Sequence, residues 1–277
     1  MSGCNHDCSS CSSKCDQAPQ KENTHKLSRV QRVIAVMSGK GGVGKSAVTG
    51  MLTVAMRKKG YTCAVLDADI TGASIPKMFG VKGGVTGDGT GIFAAKTSSD
   101  IRIMSSNLLL ENETDPVVWR GPIIAGMVKQ FWTDVIWGDV DYMFVDCPPG
   151  TGDVPLTVFQ SIKVDGIVVV TTPQELVSMI VEKAVKMANL MHIPVLGLVE
   201  NMSYVVCPDC GKKMHLFGSG KTEKIAKKFG LPLLAEIPYD SKIVEASDGG
   251  KLDKLDVDYA DAAVDILESG LPVNKRK

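Results

Sequence analysis

Between a short apolar run and a helical pattern, this chain carries Gly39-Lys40-Gly41-Gly42-Val43-Gly44-Lys45-Ser46-Ala47. The first eight residues fit G-x-x-x-x-G-K-[ST], a loop whose glycines let successive backbone N–H groups turn toward one anion. Residues 32–38 read RVIAVMS, a β-branched apolar run of the length of a buried strand. Residues 47–59 read AVTGMLTVAMRKK, with basic residues in the last turn and Gly60 just beyond, which are helix-stop signals. The loop therefore lies between a strand end and a helix N-terminus, where unpaired N–H groups and the helix dipole favour an anion. Lys45 is expected to reach the β- and γ-phosphates of a nucleotide, and the Ser46 hydroxyl to bind Mg²⁺.

The pattern from residue 30 onward alternates strand and helix. Apolar strand candidates are 32–38, 62–67, 101–105, 141–146, 166–172, 195–200 and 233–237. Helical patterns occupy 46–59, 122–136, 153–162, 175–190, 219–229 and the region near 257–268. Such alternation predicts an α/β fold, a mainly parallel sheet with helices on both faces. Glycines at 80–91 mark a loop or short hairpin. Residues 1–28 are rich in Ser, Cys, Lys, Gln and Asn, with almost no large apolar side chains. They read as a flexible Cys-rich tail ahead of one domain spanning 29–277. Net charge is zero over 277 residues and no basic stripe is visible, which argues against nucleic acid. With no apolar run of membrane-spanning length and no signal-peptide core, a cytoplasmic protein is expected.

In an open α/β sheet, ligands gather beyond the carboxyl ends of the strands. Asp67 and Asp69 follow the run 62–66, and Asp146 follows Tyr142-Met143-Phe144-Val145. An aspartate after four apolar residues is the expected position for holding Mg²⁺ through water. Gly150 and Gly152, just after it, permit a loop that shifts on hydrolysis.

The cysteines are uneven. Cys207-Pro208-Asp209-Cys210 is a turn that points two thiolates at one spot, and tetrahedral zinc or a [4Fe–4S] cluster each wants about four ligands. A two-fold dimer supplies the other pair. Zinc completed by His215, or a plain thiol pair, are the alternatives. Cys4, Cys8, Cys11 and Cys15 are numerous enough to enclose a metal centre within one chain, either iron–sulfur or zinc with His6 nearby, or to serve as a non-metal redox tail. Cys63 and Cys147 read as packing.

The loop with its extra lysine, Lys40, resembles the deviant phosphate loop of the MinD, ParA and nitrogenase iron-protein class of dimeric ATPases. More narrowly, the chain is similar to the Mrp/ApbC group of iron–sulfur carrier ATPases over residues 30–270. The likeness rests on the Asp67-Ala68-Asp69 and Asp146-Cys147-Pro148-Pro149-Gly150 segments, Trp119-Arg120-Gly121-Pro122, Asn201-Met202 and the Cys207–Cys210 turn. The resemblance implies a homodimeric, ATP-hydrolysing protein that transfers a [4Fe–4S] cluster to apo-proteins. It implies that Lys40 acts across the dimer and Asp69 positions the attacking water. Asp67 and Asp146 would support Mg²⁺, Asn201 would touch adenine, and Cys207 and Cys210 would bridge the cluster. A nucleotide-gated electron carrier is the first competing reading. A MinD-like positioning module is the second, but the membrane helix it needs is opposed by residues 256–269, which hold five acids and no base.

Overall fold

A parallel strand covered by helices on both faces must be apolar on both faces, and the central strands here are. The computed structural model of the protein describes residues 21–110, 121–173 and 177–274. Its main sheet has eight strands. From one edge they run Leu233–Glu236, Val195–Glu200, Gly166–Thr171, Arg29–Ser38, Asp139–Asp146, Cys63–Asp67, Arg102–Met104 and Ala95–Lys96. All neighbours pair in parallel except the last two, which are antiparallel. The fold is thus the expected α/β architecture.

The two-residue side-chain period of a strand splits the interior into two cores. Val33, Ala35 and Met37 face one core, which also holds Val128 and Phe131 of the helix Gly121–Thr133, Phe159 of Asp153–Ser161 and Val181 of Val177–Leu190. Ile34 and Val36 face the other. There they meet Val48 and Leu52 of the helix Lys45–Lys58, Ile243 of Ser241–Asp248 and Val264 of Asp261–Gly270.

Four expectations need correction. The pattern at 122–136 ends as helix at Thr133, and Val135–Ile136 turns into a strand that pairs with Ile92 and Phe93. Two consecutive β-branched residues gain more from that ladder than from a last helical turn. The last helix starts at Asp261 and not near 257, with the acid at its positive end. The helix Ser241–Asp248 was absent from the pattern reading, although Asp240 caps it by accepting the Lys242 N–H at 2.9 Å. Finally, the tail does not run to residue 28. The Glu22 N–H donates to the Ser161 carbonyl at 2.8 Å, the Trp132 indole donates to the Glu22 carbonyl at 2.9 Å, and the Ser28 hydroxyl donates to the Val135 carbonyl at 3.3 Å. Residues 21–28 are therefore fastened to the domain. Cys4, Cys8, Cys11 and Cys15 lie outside the described residues, as do Trp119 and Arg120. The glycine-rich stretch 80–91 does contribute to a hairpin, Gly87–Asp88 against Gly91–Phe93.

One close approach ties the helix after Asp69 to the C-terminal helices. Gly80 has φ 64°, and a Cβ there would lie 2.4 Å from the Gly250 carbonyl oxygen. Gly80→Ala should therefore destabilise the protein by about 2–5 kcal/mol, combining a left-handed alanine with a backbone clash. In a thermal melt this reads as a fall in Tm of roughly 5–15 °C. An unchanged Tm would mean that the approach is not tight.

Candidate functional site

Strand register brings the site together. Asp146 lies opposite Val36 on one side and Asp67 on the other, so three adjacent strands end at one edge. The chain leaving the first of them curls through residues 39–44 into the helix Lys45–Lys58. Gly44 is the residue before that helix, in the left-handed region at φ 73°. A Cβ there would strike the Asn201 amide nitrogen at 2.3 Å, so the position is closed to larger residues twice over.

Lys45 and Asp146 form the centre of the site. The Lys45 Nζ donates to Asp146 Oδ1 at 2.7 Å, the Ser46 hydroxyl to Asp146 Oδ2 at 2.6 Å, and the Thr49 hydroxyl to Asp146 Oδ1 at 2.8 Å. Asp69 approaches the same ammonium at 3.6 Å. Asp67 is fully buried; it accepts from the Ser105 hydroxyl at 3.0 Å and from the Asp69 N–H at 3.2 Å. Thr49 and Ser105 are thus functional-site residues that the sequence reading missed. Their only signal was a hydroxyl one helical turn after Lys45 and one just past a strand.

The charge balance is uneven. Burial pulls the Lys45 ammonium down, but Asp146, by charge and hydrogen bond, then Asp69 and Asp67, carry it above the ordinary lysine value. Burial first, and the Asp146 charge second, push the Asp67 carboxyl up to about 7. Burial also raises Asp69. One cation faces three carboxylates, and the Ser46 hydroxyl and the Asp146 carboxylate beside it are a pair of hard oxygen donors of the kind Mg²⁺ takes alongside phosphate oxygens and water. Above Gly41 and Gly42 nothing lies within 4 Å of where a Cβ would stand. That open cradle adjoins a cavity of about 220 Å³ lined by residues 40–47 with Ser38, Asp69 and Pro149. Both features fit a bound polyphosphate. The Gly150 N–H holds the following loop to the Ser38 carbonyl at 2.7 Å. Burial raises the Cys147 thiol to about 12, in keeping with a packing role.

Asn201 is buried and donates its amide to the Val43 carbonyl at 2.9 Å, so its side chain is committed to the phosphate loop. Just beyond it, a small hairpin pairs Val205–Val206 with Lys213–Met214 and carries the two cysteines at its tip. Cys207 is half-buried and Cys210 exposed. The Cys210 and Asp209 N–H groups, and then the Cys210 thiol, hydrogen-bond the Cys207 sulfur and hold it below the usual thiol range. His215 does not complete a zinc site with them: its Nδ1 lies 3.2 Å from the Ser203 carbonyl oxygen and its ring tilts against Tyr204. Among the described residues no group of three His, Cys, Asp or Glu gathers in a way that holds a metal. One chain therefore offers two sulfur ligands at this hairpin.

The family model described as ParA, NUBPL iron-transfer P-loop NTPase, matches residues 29–269. The chain belongs to this family. Among its relatives is an iron–sulfur cluster carrier protein of Methanocaldococcus jannaschii, 45% identical over 257 residues, covering 87% of this chain and 89% of that one. A protein of the same description from Clostridium perfringens is 44% identical over 267 residues, covering 89% and 93%. A nucleotide-binding protein of Archaeoglobus fulgidus, solved in complex with ADP, superposes with a TM-score of 0.76 at 45% identity, covering 83% of this chain and 90% of that chain. MinD of Pyrococcus horikoshii, at 20% identity and a TM-score of 0.57, covers 87% and 96% and shares the fold. The phosphate loop and the Cys hairpin of this NUBPL-type NTPase both fall inside the matched span. Among the described residues no helix is long and apolar enough to cross a membrane.

Proposed function

We propose that this protein is an ATP-hydrolysing homodimer that binds a [4Fe–4S] cluster between the Cys207–Cys210 hairpins of two chains and transfers it to apo-proteins. The observation that carries the reading is the two-thiol hairpin on a P-loop NTPase, joined with relatives described as cluster carriers. Two thiolates per chain make four on a two-fold axis, the number such a cluster takes. Cys207, with its sulfur already accepting backbone N–H groups, is poised as a thiolate ligand.

At the nucleotide, Lys45 neutralises the β- and γ-phosphates and the N–H groups of residues 41–46 wrap them. Ser46 and Asp146, with Asp67 behind, would hold Mg²⁺, and the ion would supply positive charge to the phosphate oxygens. Asp69, at the rim of the same cavity, orients a water for attack on the γ-phosphorus, so that the bond to the bridging oxygen breaks and ADP and phosphate leave. Lys40 acts across the dimer on the partner's nucleotide, and Asn201 lies at the adenine end. ATP in this reading drives a switch between dimer arrangements and phosphorylates no substrate. Cys4, Cys8, Cys11 and Cys15 precede the ATPase unit in sequence as a second set of thiols.

A complementation assay tests the trans role. Lys40→Ala and Asp69→Ala should each hydrolyse ATP poorly. After subunit exchange of equal amounts, about half the dimers are mixed and each has one intact site, so about a quarter of wild-type turnover should return. If phosphate release stays at the level of the single variants although exchange has occurred, Lys40 does not act across the dimer.

A further inference from the structure

Large apolar side chains on a protein surface are ordinary when scattered and informative when contiguous. Beside the cysteines they are contiguous. Leu216 is 65% exposed, Phe217 55% and Tyr239 55%. With Met202, Tyr204 and Val205 they line an open, apolar cavity of about 240 Å³. Met214, directly across the hairpin from Val205, adds a further exposed apolar side chain on the same face. The floor of the cavity is fixed before any partner arrives. The Tyr239 N–H donates to the Tyr204 carbonyl at 2.8 Å and the Ser203 N–H to the Ile237 carbonyl at 2.9 Å, which ties both sides of the cavity to the edge of the main sheet. A preformed recess of this kind costs a partner little ordering to fill.

Charge narrows what fills it. The segment 211–221, which supplies Leu216 and Phe217, also carries Lys212, Lys213 and Lys221, all exposed, and no acid. The Lys213 ammonium sits 4.3 Å over the Tyr204 ring, so positive charge stands at the cavity itself. Asp240, next to Tyr239, is spent on the Lys242 N–H at 2.9 Å and the Tyr259 hydroxyl at 2.8 Å. That leaves Asp209, at the hairpin tip, against three lysines. A second copy seated here about a two-fold axis would set the same lysine-bearing segment against itself, like charge on like. A partner with acids around an apolar anchor satisfies the recess and its rim together. Position gives that partner its role. Val205 lines the cavity and Cys207 is two residues further on, about 7 Å along extended chain. A protein anchored there has its own ligands within reach of whatever the two thiols hold.

We propose that this cavity docks the protein that accepts the cluster. The acceptor inserts one bulky apolar or aromatic side chain between Phe217 and Tyr239, while Asp or Glu residues flanking it meet Lys212, Lys213 and Lys221. The inference rests on the carrier function proposed above and adds the surface by which an acceptor is chosen and held.

The test uses the full-length chain, with Cys4, Cys8, Cys11 and Cys15 replaced by serine so that the hairpin cluster alone is followed after anaerobic reconstitution. Transfer is measured to two acceptors: the apo form of an acidic [4Fe–4S] ferredoxin, and a small iron chelator that needs no docking. Leu216→Ser plus Phe217→Ser strips the cavity wall, and Lys212→Glu plus Lys213→Glu reverses the rim charge. All four side chains are exposed, so neither pair of substitutions opens a core. Both variants should keep the parent's labile sulfide, dimer mass and rate of loss to the chelator, while the second-order rate of transfer to the ferredoxin falls about tenfold or more. In the parent that rate should also fall with added salt, and the charge-reversed variant should lose the salt dependence. Undiminished transfer to the ferredoxin in both variants, or an equal fall with ferredoxin and chelator, would overturn the docking site and leave the carrier function standing. Loss of the dimer in Leu216→Ser plus Phe217→Ser would give this face to the second copy and overturn it as well. A parent protein that takes up no labile sulfide would instead remove the carrier function, and the docking site with it.

Discussion

Lys45→Ala and Ser46→Ala should each lower ATP hydrolysis by about 10²–10³-fold at saturating Mg²⁺ and ATP, read as phosphate release. The reasons differ. Lys45 is 6% exposed and bonded to a fully buried Asp146, with Asp69 and Asp67 adding their fields. Its removal takes away the charge that meets the phosphates and leaves three carboxylates facing one another. Breaking a buried pair in this way also costs stability, about 3–5 kcal/mol, so this variant should melt earlier than the wild type. Ser46→Ala loses one hydroxyl on Asp146 and the proposed Mg²⁺ ligand, and it leaves the ion pair intact. Its melting temperature should stay near that of the wild type while turnover collapses. Turnover within about threefold of wild type in Ser46→Ala would take the hydroxyl out of the chemistry.

On the proposed carrier function, replacing Cys207 and Cys210 together by alanine should remove about four irons per dimer and abolish transfer to an apo-protein. Both cysteines stand at the tip of a two-strand hairpin, half-buried or exposed, so neither substitution opens a core cavity. Nucleotide binding should persist, because Lys45, Ser46 and Asp146 are untouched. Iron is counted in a background where Cys4, Cys8, Cys11 and Cys15 are serine. Deleting the whole N-terminal segment to residue 28 is a poorer background, since Glu22 and Ser28 are bonded to the domain. Retention of labile iron in the double variant would place the cluster elsewhere.

Much of this architecture was legible in the residue pattern because parallel central strands leave a simple trace. Both faces are buried, so runs such as 166–171 are unbroken β-branched and apolar stretches with sharp ends. The phosphate loop was legible for a different reason: its glycines and lysine answer a local demand of the anion, independent of the rest of the fold. Asp67 and Asp146 stood out as acids ending apolar runs, and the parallel register sets them side by side. What the pattern hid was decided by distant partners. Val135–Ile136 carries the apolar spacing of a helix end, and only the approach of Ile92 and Phe93 makes it a strand. Thr49 and Ser105 look like ordinary polar residues until the sheet edge delivers Asp146 and Asp67 to them. Asn201 is similar: its position after a strand suggests a ligand contact, while its amide is spent on the Val43 carbonyl 158 residues away. Residues 21–28 lack a core-forming pattern yet are ordered by backbone bonds to Ser161 and to the Trp132 indole.

The metal content of the hairpin bears most directly on the carrier function. The chain with serine at Cys4, Cys8, Cys11 and Cys15 is purified anaerobically, reconstituted with iron and sulfide, and analysed for iron, zinc and acid-labile sulfide alongside its molecular mass. The carrier reading predicts a dimer with about four irons and four labile sulfides, and a broad absorption band near the visible region that vanishes with Cys207→Ala plus Cys210→Ala. Zinc without labile sulfide, bound to the same two cysteines, would contradict it and leave a nucleotide switch with a structural zinc clasp.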